Sequence, residues 1–191
     1  MFVVLASCAE DNPPLVVMGV LAPPTPSAST CAFNADPTGP FLDLGTVDTT
    51  LASQYSAVLL LGNESFAHRP ADRLDLSDAL IVDAADVVDF EADGTTEIDR
   101  FSEDVVGFVQ PPSGGAPGLG TLSLELVSPH ALANVVGSRV LANVRLEGRL
   151  ADGTRAKSGA FVFAVTVCSG CLVSCPSSGA CIVGQDQPIC Q

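Results

Sequence analysis

Tryptophan is absent from the 191 residues, tyrosine occurs once, and a single lysine accompanies seven arginines. With Tyr55 as its only tyrosine and no indole, the chain lacks the flat platforms on which sugars usually stack. The shortage of cations leaves 22 acids against 8 basic side chains, a formal charge of −14 that repels phosphate backbones and anionic lipid surfaces and excludes nucleic acid as a partner. Histidine is nearly as scarce: His68 and His130 both lie near prolines in expected loops, and no Gly-x-Ser-x-Gly occurs, so a histidine-based triad is not expected. Gly114, Gly115, Gly118 and Gly120 do not make Gly-x-Gly-x-x-Gly after a strand, which removes a phosphate cradle. The acids offer many carboxylate pairs for glycosidase-type chemistry, but no spacing singles one out. Leu15 to Ala22 is bounded by Pro13, Pro14, Pro23 and Pro24, well short of the roughly 18 apolar residues a spanning helix requires.

What is present reads as strands. Apolar residues make up 47% of the chain, enough for one sizeable β-rich core without oligomerisation. Leu122, Leu124 and Leu126 alternate with Thr121, Ser123 and Glu125, the period-2 signature of a sheet with one wet face. Val140, Ala142, Val144, Leu146 and Leu150 oppose Arg139, Asn143, Arg145, Glu147 and Arg149 in the same way, and Phe161, Phe163, Val165 and Val167 resume the pattern after a turn at Asp152-Gly153. Ser158-Gly159 is a candidate bulge. Leu15 to Leu21, Phe41 to Val47 and Tyr55 to Leu61 are further segments of strand length, and Pro111 to Gly120 reads as a Pro/Gly loop. Leu80 to Val88 fits either one helical face or two strand pieces joined by a bulge; its Val and Ile content and β surroundings favour strands, with Asp93-Gly94 turning a hairpin. Phe101 to Val109 has mixed phase. The expectation is an all-β, antiparallel β-sandwich of immunoglobulin-like type, with residues 1–14 a signal remnant and tether, 15–167 the sandwich, and 168–191 a cysteine-rich tail packed on it.

Seven cysteines is an odd count. Leu5-Ala6-Ser7-Cys8, directly after the apolar Phe2 to Leu5, resembles a bacterial lipobox, in which the cysteine thiol carries a diacylglyceryl group and becomes the mature N-terminus. A basic n-region and a full apolar segment are missing, which points to a start codon assigned too far downstream or a shortened N-terminus. Setting Cys8 aside leaves Cys31, Cys168, Cys171, Cys175, Cys181 and Cys190, an even set compatible with three disulfides in an exported protein. Five of these six fall in the last 24 residues, where Pro, Ser and Gly supply little core and crosslinks would replace it. If all six are oxidised, parity requires Cys31 to pair with a tail cysteine; the connectivity is otherwise open among 15 arrangements.

Several of these segments together resemble an uncharacterised group of myxobacterial-type secreted lipoproteins. They are the lipobox cysteine, Ala22-Pro23-Pro24 ahead of Cys31, Tyr55 to Asn63, Phe161 to Val167 running into Cys168-Ser169-Gly170-Cys171-Leu172, and the ending Gly184-Gln185-Asp186-Gln187-Pro188-Ile189-Cys190. The resemblance implies export and a disulfide-tailed β domain, and it brings no known activity or functional residue with it.

Three constellations bear on chemistry. Cys168-x-x-Cys171 after a strand has the local order of a thioredoxin-like motif, but no β/α alternation precedes it and no helix is expected to follow and lower a thiol pKa, so a structural disulfide is the expectation. Cys168, Cys171, Cys175 and Cys181 lack the long spacer that separates two zinc ligand pairs. Asp89, Glu91, Asp93 and Glu97 occupy positions 1, 3, 5 and 9 of an EF-hand-like loop with Gly94 at 6, but position 12 is Arg100 rather than a bidentate glutamate, leaving them weak calcium candidates. The acidic stretch from Asp72 to Asp104 and the basic stretch from Arg139 to Lys157 would favour head-to-tail self-association if they formed opposite edges, and would simply be neighbours if they shared one sheet.

The expected function is a lipid-anchored structural or interaction module of the cell envelope without catalysis or cofactor, on the outer membrane, at the cell surface or in the periplasm. Its membrane contact is through the anchor, and its partner is a protein or a second copy. The alternatives are a calcium- or ligand-dependent binding protein and a thiol-disulfide oxidoreductase using Cys168 and Cys171.

Overall fold

The computed structural model describes residues 14–24, 32–65, 78–172, 182 and 184–186. Cys8, Cys31, Cys175, Cys181, Cys190 and His68 lie outside the described residues. The chain is mostly β, in two sheets that include a curled half-barrel. Strands β1 (Leu15–Leu21), β2 (Phe41–Leu42), β4 (Tyr55–Asn63) and β7 (Gly118–Val127) form a four-stranded sheet in the order β2-β1-β4-β7. The second sheet runs β3 (Gly45–Asp48), β10 (Phe161–Cys168), β8 (Arg139–Leu150), β5 (Leu80–Glu91) and β6 (Glu97–Val109), with β9 (Arg155–Lys157) also paired to β8. No described helix is long and apolar enough to cross a membrane.

The alternating residues point where their period sends them. Leu122, Leu124 and Leu126 from one sheet and Val140, Ala142, Val144 and Leu146 from the other are buried in a common core with Leu59, Leu61, Val82, Val87 and Val165. Burying such side chains stabilises by roughly 1.5–3 kcal/mol each, and this supplies most of the drive for closing the two sheets.

Four expectations need correction. Phe41 to Val47 is not one strand: Phe41 and Leu42 pair with β1, whereas Gly45 to Asp48 run beside β10, so the chain changes sheets at Asp43-Leu44. The β3·β10 pairing is parallel, so the second sheet is mixed rather than purely antiparallel. The loop after Val109 is shorter than its composition suggests, because β7 already begins at Gly118. A short helix, α1 (Pro129–Asn134), interrupts the strands; Ser128 Oγ accepts from Ala131 N at its start, and Pro129 occupies the first turn, where its missing N–H costs nothing.

The Leu80 to Val88 segment is a strand. The register of β5 against β6 and β8 shifts between Val82 and Ala84, and Gly94 turns the hairpin with φ of 70°. The acidic β5 and the basic β8 are therefore adjacent strands: Arg149 Nε donates to Asp83 over 2.9 Å, and Lys157 pairs with Glu147. Among the described residues the two charged stretches occupy one sheet instead of opposite edges.

Consecutive strands β6 and β7 meet at a seam between the sheets. Gln110 N donates to Leu119 O over 3.2 Å, and a Cβ at Gly118 or Gly120 would collide with the carbonyls of Gln110 and Phe108. Further along, Glu125 N is taken by the Glu103 carboxylate at 3.0 Å in place of a backbone carbonyl.

Candidate functional site

Asp48 ends β3, where the apolar run Gly45 to Val47 carries it into the interior. Its carboxylate is fully buried, and every lone-pair direction it uses faces an N–H or O–H. Oδ1 accepts from Thr50 N at 3.0 Å, Thr50 Oγ1 at 2.7 Å and Gly170 N at 2.8 Å, while Oδ2 accepts from Leu172 N at 2.8 Å. Burial opposes its charge, but these hydrogen bonds together outweigh burial and hold the carboxyl well below the usual carboxylate range. The donors Gly170 and Leu172 belong to the Cys168–Cys171 turn, and the two cysteines stand at disulfide distance with Cα atoms 5.9 Å apart.

One Asp48 oxygen and the two sulfurs lie within 4.8 Å of one another, the one such three-residue group among the described residues. A metal there would need both sulfurs as thiolates, whereas both Asp48 oxygens are already engaged. A buried carboxylate beside sulfur disfavours thiolate, and residues 169–172 form no helix whose N-terminus could lower a thiol pKa. What the corner holds is a pair of cysteines at disulfide distance beside a fully hydrogen-bonded carboxylate.

A second anchor lies alongside. Gly184 O accepts from Asp48 N at 3.0 Å, and Asp186 N donates to Thr46 O at 3.0 Å, adding a short bridge to the outer side of β3. Asp186 Oδ1 accepts from Thr46 N at 2.7 Å, and Gln185 Oε1 accepts from Ser56 N at 3.1 Å. Burial pushes the Asp186 carboxyl up, against the pull of hydrogen bonds from Tyr55 and Thr46. Tyr55, itself fully buried, stacks on Phe163 with ring centroids 6.2 Å apart. Burial and the adjacent Asp186 push its hydroxyl pKa far up.

The third cluster lies at the far end of the β6–β7 seam. Asp89 occupies an inward position of β5 and is fully buried. Ser128 ties it to its cross-strand neighbour: Ser128 N donates to Asp89 Oδ2 at 3.2 Å, and Ser128 Oγ donates to Asp99. Asp89 Oδ1 is buried without a hydrogen-bond partner. Burial, then the Asp99 and Glu125 charges, push the Asp89 carboxyl up to about 7 against the Ser128 hydrogen bond. Glu125 is also raised, by burial and by Glu103 and Asp99. The Ser128 hydroxyl instead holds Asp99 low, against burial, with help from Arg100 N and nearby His130.

The four calcium candidates are dispersed. Asp89 faces Ser128 in the interior, and Glu91 is exposed. Asp93 Oδ1 accepts from Thr95 N at 2.8 Å and Thr96 N at 3.0 Å, and Glu97 pairs with Arg100 at 2.9 Å. His130 is exposed on α1. Sequence reasoning missed Asp48, Asp186, Asp99 and Glu125. A usable signal for Asp48 was its place between an apolar strand and Thr49-Thr50, an Asx-turn pattern.

Comparison of the chain with protein-family models, with curated proteins and with solved structures finds no match.

Proposed function

We propose that the chain is an exported structural or interaction module of the cell envelope, without catalytic activity, anchored by a lipid on Cys8 and built as an immunoglobulin-like sandwich. The observation that carries the reading is the Asp48-held Cys168–Cys171 pair. A carboxylate that accepts four hydrogen bonds, two of them from the turn between and after the sulfurs, favours the oxidised, immobile form and works against thiol exchange. Such a crosslink persists in an oxidising compartment. With that pair made, Cys31 joins one of Cys175, Cys181 and Cys190, and the remaining two join each other. The acidic β5–β6 hairpin is the contact surface for a protein partner, because exposed edges on a rigid sandwich usually carry binding.

The test is fractionation of cells expressing the native gene. Wild-type protein is expected in the detergent-extracted membrane fraction, and Cys8→Ala in the soluble extracytoplasmic fraction. Finding both in the cytosol overturns the reading.

A further inference from the structure

We infer that the Asp89–Ser128–Asp99 bridge is a proton-operated latch on α1. With a proton on Asp89 the bridge holds the start of α1 against the second sheet; loss of that proton releases Ser128 and the first turn of α1 and admits water to the carboxylate. The latch does not depend on lipidation or export.

Asp48 and Asp89 are both fully buried on strands of the second sheet, yet their surroundings differ. Asp48 accepts four hydrogen bonds, a set that suits an anion. Asp89 accepts one, from Ser128 N to Oδ2, and its Oδ1 has none. Ser128 has no second donor for it, because the hydroxyl hydrogen goes to Asp99 while the same oxygen accepts from Ala131 N at 3.0 Å. A buried anion with one donor for two oxygens is far costlier than the neutral acid, so the closed bridge is built around a protonated Asp89.

The groups that face Asp89 reinforce this. On one side β6 sets Asp99 opposite it; on the other β8 sets the apolar Ala142. β7 adds the Glu125 charge, and α1 adds His130, whose influence falls on Asp99. Arg100, beside Asp99 in sequence, is engaged by Glu97, and among the described residues no lysine or arginine is in an ion pair with Asp89. Burial, then the two acidic neighbours, push the Asp89 carboxyl up to about 7 against the Ser128 hydrogen bond.

The fold decides which part yields when the proton leaves. β5 is paired along its length with β6 and β8 and cannot move alone. α1 has six residues, and its first turn hangs on Ser128: Ala131 N donates to Ser128 Oγ and Leu132 N to Ser128 O, each over 3.0 Å. So short a helix is not stable by itself. Its far end is tied separately, since Gly137 N donates to Val167 O and Val167 N to Ser138 O, each over 2.9 Å. Opening is thus confined to the stretch between Ser128 and Gly137, whose φ of 85° makes the pivot. Because the folded pKa is raised, the closed form keeps its full advantage below the unfolded value near ~4 and loses it as pH rises through the folded one.

The experiment is amide hydrogen exchange of the purified full chain, read by NMR from pH 5 to pH 8 as protection relative to the unstructured rate at each pH. Protection of Ala131 and Leu132 is expected to fall about tenfold or more between pH 5 and pH 7 and then to level. Both amides should exchange at least about tenfold faster than Val144 in β8, which opens only with the whole sheet. Asp89→Asn should abolish the fall, and His130→Gln should leave it in place. If Asp89→Asn does not fold, the carboxyl-carbon resonance of Asp89 in wild type decides, and it should titrate over the interval of the fall. A flat profile in wild type overturns the proposal, as does a fall that persists in Asp89→Asn or vanishes in His130→Gln. So does exchange of Ala131 in step with Val144, or an Asp89 resonance that titrates in the ordinary carboxylate range.

Discussion

Tyr55 donates its hydroxyl hydrogen to Asp186 Oδ2 over 2.6 Å, joining β4 to a segment 131 residues further along the chain. Removing the hydroxyl leaves a buried carboxylate oxygen without its donor. Tyr55→Phe should therefore cost about 1–3 kcal/mol, read from urea unfolding. An acid whose folded pKa is raised favours folding most when protonated. Its contribution falls as pH rises from the unfolded value near ~4 to the folded one, then levels. Asp186→Asn should flatten that decline; an unchanged pH profile would show that Asp186 is not buried in solution.

Asp48 has the opposite sign. Its folded pKa is depressed, so its stabilisation is complete above the unfolded value near ~4 and is lost as pH falls toward the folded one. Asp48→Asn keeps the shape but offers Leu172 N a donor where an acceptor stood. At neutral pH it should cost about 2–4 kcal/mol, and the gap to wild type should narrow below about pH 4. A gap of constant size would assign the loss to packing instead of charge.

Gly45 allows β3 to pass beneath Tyr55: a Cβ there would stand 2.6 Å from the Tyr55 oxygen and 2.9 Å from Phe163 Cε1, both on buried rings. Gly45→Ala should destabilise by about 1–3 kcal/mol through overpacking. A Cβ at Gly19 would stand 2.8 Å from the Phe41 ring, but Phe41 is at an exposed edge and can turn away, so Gly19→Ala should cost less. Thermal unfolding of the two variants side by side checks the order.

The strands with clean alternation were legible because one face of each is wet: Leu122 to Leu126 and Val140 to Leu146 take the burial their period predicts. Phe41 to Val47 was not, since both halves are equally apolar and only the tertiary need to seat Gly45 against Tyr55 divides them. Phe101 to Val109 has mixed phase because β6 lies at the seam, with its inward residues fully buried only from Val105 onward. The short helix was carried by Ser128-Pro129, a cap and first-turn signal too brief to show a helical period. The buried acids were the least readable part. Among 22 acids nothing marks Asp186, whereas Thr49-Thr50 marks Asp48 as an Asx-turn residue and strand phase counted from Ala85 and Val87 already sends Asp89 inward.

The Cys168–Cys171 pair should be inert as a redox catalyst. The full chain is expected to leave insulin reduction by dithiothreitol at its uncatalysed rate, with Cys168→Ser no different. Acceleration lost on changing Cys168 would instead establish a thiol-disulfide enzyme.

Intact mass measurement of the protein isolated from its native cells, alkylated without prior reduction, tests the envelope reading most directly. The account predicts diacylglyceryl on Cys8 as the N-terminal residue and no alkylated thiol among Cys31, Cys168, Cys171, Cys175, Cys181 and Cys190. An unmodified Cys8 together with alkylated tail cysteines would contradict it.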